Sequence, residues 1–175
     1  MTTYRSPALS PTTATQLTQA HRALRLGRPE AVWATLHQLW SHQASPGLYT
    51  WDAPRPTQDE VADGWQYARG WHNETAVSPD YETAALLLLL QQDMLAYLDD
   101  AAAEPTVVLG AGITPAWLSQ PMAVSNLALP GGSITWQWDG QKMRVTLRGP
   151  ARKIQLGSAF PPGTELAVVQ KSLRP

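Results

Sequence analysis

The sequence contains no cysteine. That excludes a disulfide framework, a thiolate zinc site, a cysteine nucleophile and a cysteine-held iron–sulfur cluster. Charge is scarce as well: Asp, Glu, Lys and Arg make up 15% of the 175 residues, against about a quarter in an ordinary domain. The 13 basic and 14 acidic side chains nearly cancel, so no broadly basic surface is present to seek phosphate, and nucleic acid is not an expected partner. Long apolar runs are missing. The longest, Ala84 to Leu90, is 7 residues, far below the ~20 needed to span a bilayer. Residues 1–18 are polar and rich in Pro and Thr, without the apolar stretch of a signal peptide, so the cytoplasm is the default expectation. Phenylalanine occurs once, whereas tryptophan occurs 8 times and proline 15 times. Eight indoles exceed what packing alone asks of so short a chain.

The chain reads as three successive texts. Residues 1–12 form a flexible lead, residues 13–104 a helical unit interrupted by a long loop at 46–78, and residues 105–175 a set of short strands. Helices followed by strands predict an α+β fold in two units. Leu17, Ala20 and Leu24 share one helical stripe, Gly27 is placed to end that helix, and Pro29 to start the next. Val32, Trp33, Leu36, Leu39 and Trp40 recur at helical spacing, which predicts a core face. The short break at Gly27–Arg28 predicts a helical hairpin. A third helix is expected from about Pro79 to Leu98. Its centre is apolar all round, which predicts burial on every side. Two partner helices cannot surround it. Either the second unit supplies a layer or further helices are missing from the chain, and the second alternative is the one expected.

Downstream, Ile134, Trp136 and Trp138 alternate with polar residues, Asp139–Gly140 is a two-residue hairpin signal, and Met143, Val145 and Leu147 alternate again. Further strands are expected at 106–109, 122–127, 153–156 and 165–169. Together they predict a small antiparallel sandwich of six strands.

The stretch from Pro46 to Glu82 is the one that reads as chemistry. It holds 7 of the 14 acids, among them Asp52 and Glu60, and the aromatics Tyr49, Trp51, Trp65, Tyr67, Trp71 and Tyr81. A connection of this length is functional or disordered, and its aromatics argue against disorder. Its acidity argues against stacking on nucleic acid. Indole faces beside carboxylates suit sugar, whose C–H face packs on the ring while its hydroxyls bind Asp, Glu, Arg and His. Cleavage of a glycosidic bond needs two carboxyl groups. His37 and His42 are misaligned for a shared metal, and neither a metal nor a cofactor is expected.

These residues also carry a resemblance. His42-Gln43-Ala44-Ser45-Pro46-Gly47-Leu48-Tyr49-Thr50-Trp51, then Ala68-Arg69-Gly70-Trp71, then Tyr81 ahead of an aliphatic helix, resemble the late part of the six-hairpin glycosidases. Val108-Leu109-Gly110-Ala111-Gly112-Ile113-Thr114-Pro115-Ala116-Trp117-Leu118 resembles their connector to a C-terminal sandwich, and Leu127 to Trp136 the first part of that sandwich. The similarity covers roughly residues 20–170. It implies the last helices of an incomplete (α/α)6 toroid followed by a β-sandwich. It implies a carbohydrate-active module that in a complete protein would belong to a glycoside hydrolase. By position, Asp52 or Glu60 would be the late catalytic carboxylate, although the family's Trp-Glu step reads Trp51-Asp52 here. Tyr49, Trp51, Trp65, Arg69, Trp71 and His72 would bind substrate. No upstream partner acid accompanies them, so the chain alone is expected to be non-catalytic. The alternatives are a glycan-binding or protein-interaction module and a structural fragment of a truncated reading frame. The expected partners are carbohydrate and, through the apolar helix, a second copy or a missing helical partner.

Overall fold

The computed structural model describes residues 12–41, 53–54, 76–77 and 81–172. Helix α1 (Thr13–Arg25) opens on Thr12, whose hydroxyl accepts the Thr15 N–H at 3.2 Å. That satisfies one of the donors a helix start leaves unpaired. It closes at Gly27, whose φ of +68° lets the Arg28 N–H return to the Ala23 carbonyl at 3.0 Å. Pro29 then begins α2 (Pro29–Ser41), its fixed φ suited to a first helical turn. The hairpin expected between them is formed. Helix α3 (Tyr81–Leu95) packs against α1. Strands β1 (Ala53–Pro54) and β2 (Ala76–Val77) pair antiparallel.

Helix α3 ends three residues earlier than its apolar run predicts. Residues Ala96–Asp99 leave it directly as β3, which pairs antiparallel with β4 (Thr106–Leu109). β8 (Lys153–Leu156) joins the other side of β4 in parallel. A second sheet has the order β5-β6-β7-β9, from β5 (Met122–Leu129), β6 (Gly132–Trp138), β7 (Lys142–Arg148) and β9 (Glu165–Lys171). The two sheets therefore use seven strands rather than six, and two pairings are parallel. The cause is connectivity. The chain crosses from β7 to the other sheet for β8 and back for β9, so each returning strand enters in the direction of its neighbour.

The helices, the three-stranded sheet and the four-stranded sheet form three layers. Tyr97 and Val108, opposite one another on β3 and β4, face the helices and share a core with Leu17, Leu24, Val32, Leu36 and Leu90. Ala96, Val107 and Leu109 face the other way, onto Ile134, Trp136, Trp138, Met143, Val145 and Leu147. β4 is buried along its whole length, which is why it reads as a continuous apolar run rather than an alternating one.

This arrangement corrects the toroid expectation. Among the described residues there are three helices, and a sheet, not a ring of further hairpins, covers their apolar sides. The α+β class holds. The third helix is not buried on every side either. Leu90 is buried, but Leu88 and Leu89 are 67% and 54% exposed. The Asp139–Gly140 turn also differs from expectation. Trp138 pairs with Met143, so four residues lie between them, and the Asp139 carboxylate accepts the N–H groups of Gln141 and Lys142 at 3.1 and 2.9 Å. The tight two-residue turn is instead Pro130–Gly131, between the paired Leu129 and Gly132.

Candidate functional site

Tyr49, Trp51, Asp52, Glu60, Trp65, Arg69, Trp71 and His72 all lie outside the described residues. What the structure brings together is a different set of indoles. Trp33 and Trp40 are seven residues apart on α2, and Trp117 closes a single 3₁₀ turn, Pro115–Trp117. Their rings meet around Trp33. The Trp33 centroid lies 5.3 Å from that of Trp117, 6.3 Å from that of Trp40 and 6.0 Å from the His37 ring, all tilted. His37 meets Trp40 edge-on at 5.7 Å. These spacings are those of favourable aromatic pairs. Trp33 is fixed in place because its indole N–H donates to the Gly112 carbonyl at 2.8 Å.

The three indoles line a cleft of about 190 Å³. Leu36, Met94, Leu95 and Ile113 make its apolar wall, Gly112 contributes main chain, and Gln91 contributes an amide side chain. Trp40 and Trp117 are 42% and 44% exposed. Trp40 is thus not the core residue its periodicity predicts. Among the described residues no carboxylate lines the cleft, so the chemistry these residues offer is recognition by apolar contact and a few hydrogen bonds. The signal in the sequence was Trp33, His37 and Trp40 on one helical face. It read as core because periodicity reports which face is apolar and says nothing of what covers its far end.

A second, larger depression of about 480 Å³ lies between the Gly140 turn and the Pro161–Glu165 loop. Its aromatic residue, Trp138, is 3% exposed and donates its N–H to the Leu118 carbonyl at 2.9 Å, so it offers no ring face to a ligand.

His21 and Asp93 resemble a catalytic dyad but serve as a strut. His21 Nδ1 lies 3.6 Å from the Asp93 carboxylate, and its Nε2 is 3.2 Å from the Leu86 carbonyl. Both nitrogens are occupied within the protein, and neither is left to move a proton. Arg25 binds the same carboxylate at 3.2 Å, donates to the Leu98 carbonyl at 3.3 Å, and sits 4.0 Å over the Tyr97 ring. The network ties α1 to α3 and β3. Asp93 raises the His21 pKa above 6.5; partial burial opposes this, the Leu86 carbonyl adds to it, and Arg25 opposes it. A raised pKa means that the folded state binds the proton more tightly than the unfolded state does. The resulting stability is complete below about pH 6.5 and is lost as the pH rises through the folded-state value. Urea midpoints are therefore expected to fall between about pH 6 and pH 8, and His21→Gln should flatten that fall. A midpoint that rises over this window, or a fall unchanged in His21→Gln, would contradict the assignment.

Among the described residues, no group of three or more His, Asp or Glu could hold a metal ion, and no helix is long and apolar enough to cross a membrane. Comparison with family models, curated proteins and solved structures finds no match. The functional reading rests on the residues of this chain.

Proposed function

We propose that the protein is a carbohydrate-binding module whose contact surface is the tryptophan-lined cleft, and that it does not cleave glycosidic bonds by itself. The observation that carries this reading is the set of three indoles around one small cleft with an amide at its margin. Indole faces match the C–H face of a pyranose, and Gln91 can both donate to and accept from its hydroxyls. A volume of 190 Å³ is below the roughly 300–1,000 Å³ of sites for drug-sized ligands, which suits a single sugar ring. The stretch Val108–Leu118, part of the resemblance to glycosidases, supplies Gly112, Ile113 and Trp117 to the cleft, which supports the same substrate class. The second half of the proposal follows from the carboxylates. Hydrolysis needs two of them flanking the bond, and the described residues of the cleft include none.

At about 0.3 kcal/mol per heavy atom, a single ring of about twelve atoms gives a Kd of about 2 mM, tighter for oligosaccharides. Titration of a mono- and oligosaccharide panel should quench or shift tryptophan fluorescence in a saturable way. Trp40→Ala and Trp117→Ala should each weaken binding about tenfold or more, because each removes a stacking face. No saturable response, or one that survives the Trp40→Ala, Trp117→Ala double variant, would sink the proposal. Hydrolysis of aryl glycosides that disappears in Asp52→Asn or Glu60→Gln would overturn the non-catalytic half.

One observation favours a second reading, a protein-interaction module. Tyr81, Leu88 and Leu89 expose apolar surface on α3. If that face holds a partner, Leu88→Lys with Leu89→Lys should abolish the association and leave sugar titrations intact.

A further inference from the structure

β9 is the outermost strand of the four-stranded sheet among the described residues. It is seven residues long, without proline, and its pairing with β7 runs from Lys142↔Glu165 to Arg148↔Lys171 without a bulge. The devices that blunt an exposed edge are therefore limited to one charge at each end. Val168 and Val169 are 37% and 52% exposed. The exposure of Val168 is unexpected, because it pairs with Val145 on the core-facing side of the sheet. The three-stranded sheet does not reach across to cover it.

Which main-chain groups face the open edge follows from one hydrogen bond. The Gly149 N–H donates to the Lys171 carbonyl at 2.9 Å. In a parallel ladder alternate residues bond to the neighbour, so Glu165, Ala167, Val169 and Lys171 turn their peptide groups to β7. Leu166, Val168 and Gln170 then turn theirs outward.

We propose that two copies of the chain join through antiparallel pairing of their β9 strands about a two-fold axis at Val168, making one eight-stranded sheet. The sequence Glu165-Leu166-Ala167-Val168-Val169-Gln170-Lys171 is complementary to itself in this register. Glu165 meets Lys171 of the second copy and Lys171 meets its Glu165, while Leu166 meets Gln170 and Val168 meets Val168. The same register brings the outward peptide groups of Leu166, Val168 and Gln170 opposite those of Gln170, Val168 and Leu166. Hydrogen-bonding and side-chain complementarity thus select one alignment, and a shift by one residue would destroy both. Within one chain Lys171 lies beside the like charge of Arg148. The second copy's Glu165 would supply the opposite charge that this position lacks. A two-fold contact of this kind closes on itself and stops at two copies.

The test is sedimentation of the full chain at low ionic strength, where exposed charge pairs are least screened. The wild type should reach a dimer of twice the 19.1 kDa chain. Glu165→Lys and Lys171→Glu each turn both cross-strand pairs into like charges, and each should weaken the dimer about tenfold or more. Mixing the two variants should restore it, because one strand is then doubly positive and the other doubly negative. Val168→Pro removes an N–H that faces the edge and is not used by β7, so it should give a monomer with unchanged circular dichroism. A wild type that stays monomeric at the highest soluble concentration would overturn the proposal. So would a dimer equally strong in both charge variants, or a mixture no tighter than its components. Sugar titration of the monomeric variants should be unaffected, which keeps this proposal separate from the cleft.

Discussion

Trp136→Ala is expected to cost about 4 kcal/mol of folding stability, the largest effect of any single truncation in the sandwich. Trp136 is 1% exposed and sits mid-strand in β6, where it pairs with Val124 on β5 and Val145 on β7. It is the largest fully buried side chain among the described residues, so alanine leaves a cavity that neighbours held by ladders on both sides cannot collapse to fill. Its hydrogen bond matters less. The indole N–H donates to the Leu95 carbonyl at 3.2 Å, but that carbonyl also accepts the Gly110 N–H at 2.8 Å. Truncation therefore leaves the oxygen with one partner, and most of the loss is packing. Trp136→Phe separates the two, and should cost about 1–2 kcal/mol. In a chain of this size about 4 kcal/mol lowers Tm by roughly 8–16 °C. Trp40→Ala, at a site 42% exposed, should cost about 1 kcal/mol or less. Urea unfolding of the three variants gives the comparison, and a Trp136→Ala cost no larger than that of Trp40→Ala would show that the sandwich is not packed as described.

That contrast shows how far tryptophan positions were legible. In β6 the period of two fixes a face, and a sheet that packs on another sheet buries its inner face along most of its length. Trp136 and Trp138 were readable as core for that reason. In α2 the period of 3.6 also fixes a face, but on it Val32, Leu36 and Leu39 are the fully buried residues and Trp33 packs part-buried against the same core. Trp40 shares the face and projects beyond the layer that covers it. Periodicity cannot tell these cases apart, because burial at the end of an element depends on how far its partner extends.

The layer order was hidden for a related reason. The apolar run in α3 reported a need for cover, which either more helices or a sheet could meet. The strand that settles it, Ala96–Asp99, carries no strand signal of its own beyond Tyr97. It is extended because its partner Thr106–Leu109 follows after about six intervening residues and is strongly strand-forming. At the other edge, the last two residues of β9, Gln170 and Lys171, lay beyond the predicted 165–169. They are polar, and tertiary contacts hold them. The Gln170 side chain binds the Arg152 main chain at 3.3 and 2.9 Å, a pairing between residues 18 apart that no local pattern announces.

Gly112→Ala is expected to cost about 3 kcal/mol and to damage the cleft at the same time. The expectation is steric. Gly112 does not adopt a positive φ, unlike Gly27, Gly110 and Gly131, so an alanine there is free of left-handed strain. A Cβ at this position would instead collide with the Met94 side chain, most closely with its Cβ, then with its Cγ at 2.6 Å and its Cε at 2.9 Å. The main chain cannot retreat without loss. The Gly112 N–H donates to the Met94 carbonyl at 2.9 Å, and its own carbonyl accepts the Trp33 indole N–H at 2.8 Å. Movement away from Met94 therefore breaks the first bond or rotates Trp33. Because Met94 and Trp33 both line the cleft, sugar affinity should fall together with stability. Gly163→Ala serves as the control. Its φ is +80° with no atom within 4 Å, so it should cost only the ~1 kcal/mol of the left-handed backbone. Met94→Ala combined with Gly112→Ala removes Cγ and Cε but leaves the closest contact, the Met94 Cβ, so only part of the cost, about 1 kcal/mol or less, should be recovered relative to additivity. Urea unfolding of the four proteins tests this. A Gly112→Ala cost below that of Gly163→Ala would mean that α3 and the Gly110–Trp117 segment do not meet at this distance.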